Sequence, residues 1–252
     1  MRFKLNSLFL AISFLSRLLP GRAAGKEEMS ASLFWFPVAG LLLGLVLALP
    51  FFFLQNFTRL ASGHGVLLEG LLYTAAHAWV TRALHWDGWT DVFDALGSGK
   101  EGREFYRVLK DSRTGTFGAL ALFLGLTGMV LASAGCLEAG KWPVLIFAVV
   151  LGRCMAAPLT FGLAAAPEST LGALFRARGV WTDVAPAVCF ALLCGLVCAG
   201  FAQTIRAALA AVCGIALLRR LAAKHGGLNG DFIGCAIVWG ELGALLTGAV
   251  SP

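Results

Sequence analysis

The chain has 252 residues, 58% of them hydrophobic and 13% charged, and its 20 Lys and Arg against 14 Asp and Glu give a formal charge of +6. A mean hydropathy of +0.80 excludes a soluble globular domain or a disordered chain and places the sequence among polytopic membrane proteins. The positive excess calls for no nucleic acid, because basic loops beside anionic headgroups are the default in such proteins.

In chain order, Arg2 and Lys4 precede an apolar stretch that closes at Arg17. It is too short to span, and residues 1–30 read as an interfacial or re-entrant amino-terminal segment, not a cleaved signal. Apolar stretches then run at 33–54, 114–135, 142–163, 184–202 and 232–250, against a need for about 20 residues per spanning helix. Two further candidates are imperfect: 65–83 carries Glu69 and His77, and the apolar core of 207–221 stops before Arg219 and Arg220. The expectation is one domain over 1–252, an all-α polytopic membrane bundle of about seven transmembrane helices. With the amino terminus inside, only Arg59, Lys141 and Arg206 fall outside and Arg153 falls within a span, so all but four of the 20 cationic residues are cytoplasmic. The seven cysteines, 136, 154, 189, 194, 198, 213 and 235, form no CxxC pair and read as small buried apolar residues.

The decapeptide His85-Trp86-Asp87-Gly88-Trp89-Thr90-Asp91-Val92-Phe93-Asp94 holds three carboxylates in a chain that otherwise avoids acid. On a helix Asp87, Asp91 and Asp94 stand at i, i+4 and i+7, within roughly 60° of one another on one face. Three anions so placed repel unless neutralised, and an oxygen-only ligand set suits a hard divalent cation such as Mg²⁺. The apolar neighbours Trp86, Trp89, Val92 and Phe93 argue against a merely solvated face. His85 projects about 160° away from Asp87 on the same helix, which points it to structure or substrate more than to the cation.

Gly-Ser-Gly at 97–99 stops that helix, and a second one is predicted from Lys100 to Asp111 with Arg103, Arg107 and Lys110 on one face. Asp111-Ser112-Arg113-Thr114-Gly115-Thr116-Phe117-Gly118 then leads into the next span. Its glycines allow backbone amides to approach a phosphate at a helix amino terminus, while Lys110 and Arg113 supply positive charge. Residues 85–118 thus form a cytoplasmic catalytic segment: carboxylates for metal, a fourth carboxylate at Asp111, and cations with amides for phosphate. Those are the parts that phosphoryl transfer needs. Asp231, in a glycine-rich turn before the last span, lies on the same predicted side. Glu69 and His77 are ionisable groups within the weak second span, where such groups face the bundle interior and a structural pairing with Arg153 is the expectation.

The stretches 85–94 and 110–118 resemble the two signatures of the cobalamin synthase family, the adenosylcobinamide-GDP ribazoletransferases. Gly226-Gly227-Leu228-Asn229-Gly230-Asp231-Phe232-Ile233-Gly234 is similar to that family's glycine-rich GD motif, and Phe14-Leu15-Ser16-Arg17-Leu18-Leu19-Pro20 to its amino-terminal Arg-Leu-Pro stretch. The four matches occur in the family's order. The resemblance implies a Mg²⁺-dependent multi-pass enzyme of the bacterial inner membrane, facing the cytoplasm. It would join adenosylcobinamide-GDP to α-ribazole or α-ribazole 5′-phosphate and release GMP. It assigns Asp87, Asp91 and Asp94 to metal and catalysis with Asp111, and His85, Lys110, Arg113, Gly115, Gly118 and Asp231 to substrate. Val238 departs from the pattern, standing where the family carries the first of two carboxylates in the last span and leaving Glu241 alone.

Two other functions fit parts of the sequence. A CDP-alcohol phosphatidyltransferase also sets spaced aspartates on membrane helices, but its DGxxAR continuation is absent after Asp87-Gly88. A transporter would account for the spans and the intramembrane charges but leaves a cytoplasmic aspartate cluster without a task.

Overall fold

In a computed structural model of the chain, residues 5–58, 64–167 and 169–250 are described. Arg2, Lys4 and Arg59, which enter the charge count, lie outside the described residues. The amino-terminal segment folds as α1 (Leu5–Leu15) and α2 (Lys26–Ser32), and a 3-10 turn leads into α3 (Phe36–Thr58). There follow α4 (His64–Val80), α5 (Leu84–Gly97), α6 (Gly102–Leu109) and α7 (Thr116–Glu138). Next come α8 (Pro143–Cys154), α9 (Ala156–Thr160), α10 (Thr170–Leu174), α11 (Ala185–Ala199), α12 (Phe201–His225) and α13 (Gly230–Ala249). Among the described residues the only extended pairing is one parallel bridge, Ala165 to Leu228.

Among the described residues six helical stretches are long and apolar enough to cross a membrane: 26–55, 116–138, 143–160, 180–199, 201–225 and 230–249. The chain is therefore a multi-pass membrane protein. The stretch expected to be marginal at 207–221 is the middle of a continuous 25-residue helix, α12. The other, 65–83, is α4, whose 17 residues extend roughly 25 Å at 1.5 Å per residue. The seven cysteines are free, as expected, but not all are buried: Cys189 and Cys213 are exposed on α11 and α12.

α8 is the axis of the bundle, buried from Val144 to Cys154, with α3, α11 and α13 packed around it. Lipid tails offer no hydrophobic gain for helix association, so close backbone approach has to supply dispersion contacts instead. Gly40 and Gly44 of α3, four residues apart, provide it. A Cβ on Gly40 would lie 2.9 Å from the Val149 carbonyl oxygen, and one on Gly44 2.9 Å from the Ile146 Cα.

Inside this packing, Arg153 of α8 pairs with Glu241 of α13, and His77 of α4 lies 3.0 Å from the same Glu241 oxygen. All three are almost completely buried. Glu69 instead meets Gln55 of α3, at 3.3 Å. Glu69 and His77 are the partners expected for Arg153, but the crossing of α8 and α13 presents Glu241 to the guanidinium.

α4 does not run on into α5. Arg82 and Ala83 both adopt positive φ, 59° and 52°, conformations uncommon outside glycine. The break is held by Arg82, whose guanidinium donates to the Ser13 and Phe14 carbonyls at 2.9 and 2.8 Å. Arg17 completes the joint, its amide donating to Val80 O at 2.8 Å and its guanidinium lying 5.4 Å from the Trp79 ring centroid.

Candidate active site

α5 carries the three aspartates on the helix that their spacing predicted. The opposite face holds Trp86, Trp89, Val92 and Ala95, all buried, and packs against α7 and α13. Gly125 of α7 accommodates Trp86, and Trp89 Nε1 donates to Ala121 O at 3.0 Å. Asp87 is exposed, while Asp91 and Asp94 are half-buried.

Asp231 comes to this face from the first turn of α13. Asn229 caps that helix, its side-chain oxygen accepting from Phe232 N at 3.2 Å, while its Nδ2 donates to Asp231 at 2.6 Å. The crossing of α5 and α13 is tight: a Cβ on Gly88 would lie 2.6 Å from Asp231 O. Only hydrogen at position 88 permits that approach. Burial, then the negative charges of Asp87, Asp231 and Asp94, push the Asp91 carboxyl up to about 7. The four carboxylates therefore form one electrostatic group.

Asp94 has a structural task that the sequence did not suggest. Its Oδ2 accepts from Gly115 N at 2.6 Å and its Oδ1 from Gly118 N at 2.7 Å, so it caps α7, whose own cap residue Gly115 has no side chain. A carboxylate at a helix amino terminus is favoured by the dipole and by the unpaired amides there. The amides expected to approach a phosphate are thus bonded to Asp94.

Asp111 and Arg113 are brought to each other. The Arg113 guanidinium donates to both Asp111 oxygens, at 3.0 and 2.8 Å, and its amide adds a third bond at 3.1 Å. This fork pulls the Asp111 carboxyl down to about 2. Both side chains are solvent-accessible, and Lys110 beside them is exposed. His85 is buried and turned from the aspartates, as its helical phase required. Neither ring nitrogen has a hydrogen-bond partner, and burial, reinforced by Arg153, His77 and Arg82, drives its pKa well down and keeps the ring neutral.

The second helix of this segment, α6, is shorter than predicted, Gly102–Leu109, with Arg103 and Arg107 exposed and Phe105 and Leu109 buried. Phe105 stacks on His225 at 3.8 Å between ring centroids, and the Tyr106 hydroxyl donates to Gly227 O. Burial and the nearby Asp231 charge push Tyr106 up to about 12. Tyr106 and Asn229 are site neighbours that sequence reasoning missed: Tyr106 reaches the turn only because α6 folds back over it, while Asn229 bonds Asp231 and Phe232 within its own turn.

Among the described residues no three His, Cys, Asp or Glu side chains converge closely enough to hold a metal ion as they stand. The chemistry of the set nevertheless fits one. Its donors are all carboxylate oxygens, it gathers negative charge with no ion pair to a cation among the described residues, and α6, which carries Arg103 and Arg107, packs against α5.

A family model described as cobalamin-5-phosphate synthase matches residues 7–249. The chain is 40% identical to an adenosylcobinamide-GDP ribazoletransferase of Nitratidesulfovibrio vulgaris over 96% of its own length and 94% of the relative's. It is 34% identical to proteins of the same name from Geotalea daltonii, covering 96% of each chain, and from Klebsiella pneumoniae, covering 96% of this chain and 98% of the relative. No solved structure matches.

Proposed function

The chain belongs to the cobalamin-5-phosphate synthase family, a transferase family of cobalamin biosynthesis, and from that premise we propose that it joins adenosylcobinamide-GDP to α-ribazole or α-ribazole 5′-phosphate. The products are adenosylcobalamin or its 5′-phosphate, and GMP. The observation that supports this reading is the placement of Asp87, Asp91 and Asp94 on α5, the helix whose Gly88 is crossed closely by Asp231 from the other end of the chain.

In the reaction a ribose hydroxyl of the acceptor attacks the phosphorus on the cobinamide side of the pyrophosphate. A new P–O bond forms, the P–O bond to GMP breaks, and the hydroxyl proton passes to a carboxylate of the cluster. Asp87, Asp91 and Asp94, with Asp231 opposite, would hold Mg²⁺, which supplies charge neutralisation at the pyrophosphate and the departing GMP. Asp94 anchors α7 against α5 and fixes the cluster's outer edge. Arg113 presents a planar fork suited to phosphate oxygens once it exchanges Asp111 for substrate, and Lys110 adds a second positive charge. His85 supports the cluster from behind as a buried neutral ring.

The distribution of Lys and Arg supports a cytoplasmic site in a bacterial inner membrane. The large polar corrin substrate then enters from the cytoplasm. The test is GMP release by the detergent-purified protein supplied with adenosylcobinamide-GDP and α-ribazole, with and without Mg²⁺. Mg²⁺-dependent GMP together with cobalamin is expected. A folded preparation that yields neither, or that turns over CDP-diacylglycerol instead, overturns the reading.

A further inference from the structure

Away from the aspartates, α8, α11 and α12 do not close on one another. They leave a groove of about 540 Å³ lined by Leu151, Val188, Ala191, Ala211 and Ile215 and ended by Arg219 and Arg220, a volume within the usual range of ligand pockets. Ala191 on α11 and Ala208 and Ala211 on α12 are too short to fill the space between the helices. The groove opens outward: Val212 on its edge is 63% exposed, and Leu193, Val197 and Leu209 beside it are exposed as well. In a multi-pass protein this face meets lipid. An unfilled apolar cleft there would forfeit dispersion contacts along its whole lining.

The basic end narrows the choice of occupant. Arg219 Nη1 donates to the carbonyls of Pro158, Leu159 and Phe161, at 2.9, 3.0 and 2.7 Å, and so satisfies orphan carbonyls where α9 ends. Those dipoles fix the guanidinium without neutralising it. Arg220 is exposed beside it. The lining contains no carboxylate, and among the described residues none pairs with either arginine. Two adjacent, uncompensated guanidinium groups at the mouth of an apolar groove complement a molecule with an anionic head and a long apolar tail.

We propose that this groove binds one acyl chain of an anionic phospholipid, whose phosphate is held by Arg219 and Arg220. The site has a route to the rest of the fold. The carbonyls that Arg219 gathers precede residues 164–166, which pair with Leu228 through Leu228 N to Ala164 O at 2.8 Å and Ala166 N to Leu228 O at 2.9 Å. Leu228 lies in the turn that delivers Asp231. A bound headgroup would therefore brace the strap beside the acidic cluster.

The test titrates the delipidated full-length protein in detergent with dioleoyl-phosphatidylglycerol or dioleoyl-phosphatidylcholine and counts bound lipid by native mass spectrometry. One phosphatidylglycerol per chain is expected, bound at least about tenfold more tightly than phosphatidylcholine, the factor that one lost charged contact represents. Arg220→Ala, at an exposed position, should remove most of that preference with unchanged helix content. Ala208→Phe, which fills the groove, should remove binding of both lipids. Equal binding of the two lipids, or phosphatidylglycerol binding that survives both substitutions, overturns the proposal. So does competition by glycerol 3-phosphate at the lipid's own affinity, which would make the ligand a free phosphate. A chain that dimerises, and becomes monomeric when Ala208→Phe is introduced, would give the groove to a second copy instead.

Discussion

The Asp94 carboxylate of α5 accepts the Gly118 amide of α7 at 2.7 Å, across 24 residues of chain. With the matching bond from Gly115, it ties the acidic helix to the start of a membrane span. A Cβ at position 118 would collide with that carboxylate. Gly118→Ala should therefore displace Asp94 and lower the unfolding free energy by about 1–3 kcal/mol, the cost of stranding a charge-assisted bond. Asp94→Asn keeps one acceptor and should cost less. The check is thermal unfolding of both variants in detergent together with turnover; equal stability of Gly118→Ala and the parent would refute the joint.

Asp87 is exposed and bonds to nothing that holds the fold together. Asp87→Asn removes one charge at nearly constant volume, so membrane insertion and melting temperature should be unchanged while turnover falls by at least about 10²-fold at limiting Mg²⁺. Raising Mg²⁺ should recover part of the loss. Parent-level turnover at limiting Mg²⁺ would remove Asp87 from the cation site.

The Asp111–Arg113 fork gives a pH signature. Arg113 holds the Asp111 carboxyl at about 2, below the ordinary aspartate value near 3.9, so its contribution is complete above that ordinary value and is lost as pH falls through about 2. The carboxyl carbon resonance of Asp111 should titrate near 2 in the parent and near the ordinary value in Arg113→Ala. A parent midpoint near 4 would mean the fork is not populated in solution.

Glu241→Gln would leave Arg153 buried without a counter-charge, and removal of one partner of a buried pair costs about 3–5 kcal/mol. Replacing both, as Arg153→Met with Glu241→Leu, should recover much of that loss. Thermal unfolding of the single and double variants separates the two cases. A double variant as unstable as Glu241→Gln would show that the pair contributes more than mutual compensation.

Much of this architecture was legible in the chain. Periodicity placed Asp87, Asp91 and Asp94 on one helix face and turned His85 away, because both follow from 100° per residue. Hydropathy located the six spanning stretches, although Arg219 and Arg220 concealed the full length of α12, and the further span expected at 65–83 is the shorter α4, which is not among the six. Contacts between distant segments were not legible. Nothing local in Asp94 shows that it also caps a helix, since that task lies in two amides more than 20 residues on. The sequence offered Glu69 and His77 as partners of Arg153, and only the crossing of α8 with α13 reveals Glu241 in that place. Asp111 was read as catalytic and Arg113 as binding substrate, yet two residues of separation and a turn let them satisfy each other.

The left-handed pair at Arg82 and Ala83 also sets what the chain tolerates. In an unbroken helix every insertion upstream would rotate everything downstream by about 100°. Here α4 and α5 are mechanically out of phase with each other, so their rotations are set separately. A residue added within α4 alters which side of that span meets its neighbours and is absorbed at the break. The same addition between Ala83 and Asp87 swings all three aspartates off α13. The two non-glycine residues at positive φ thus act as a swivel that isolates the angular setting of the acidic face from length changes in the membrane.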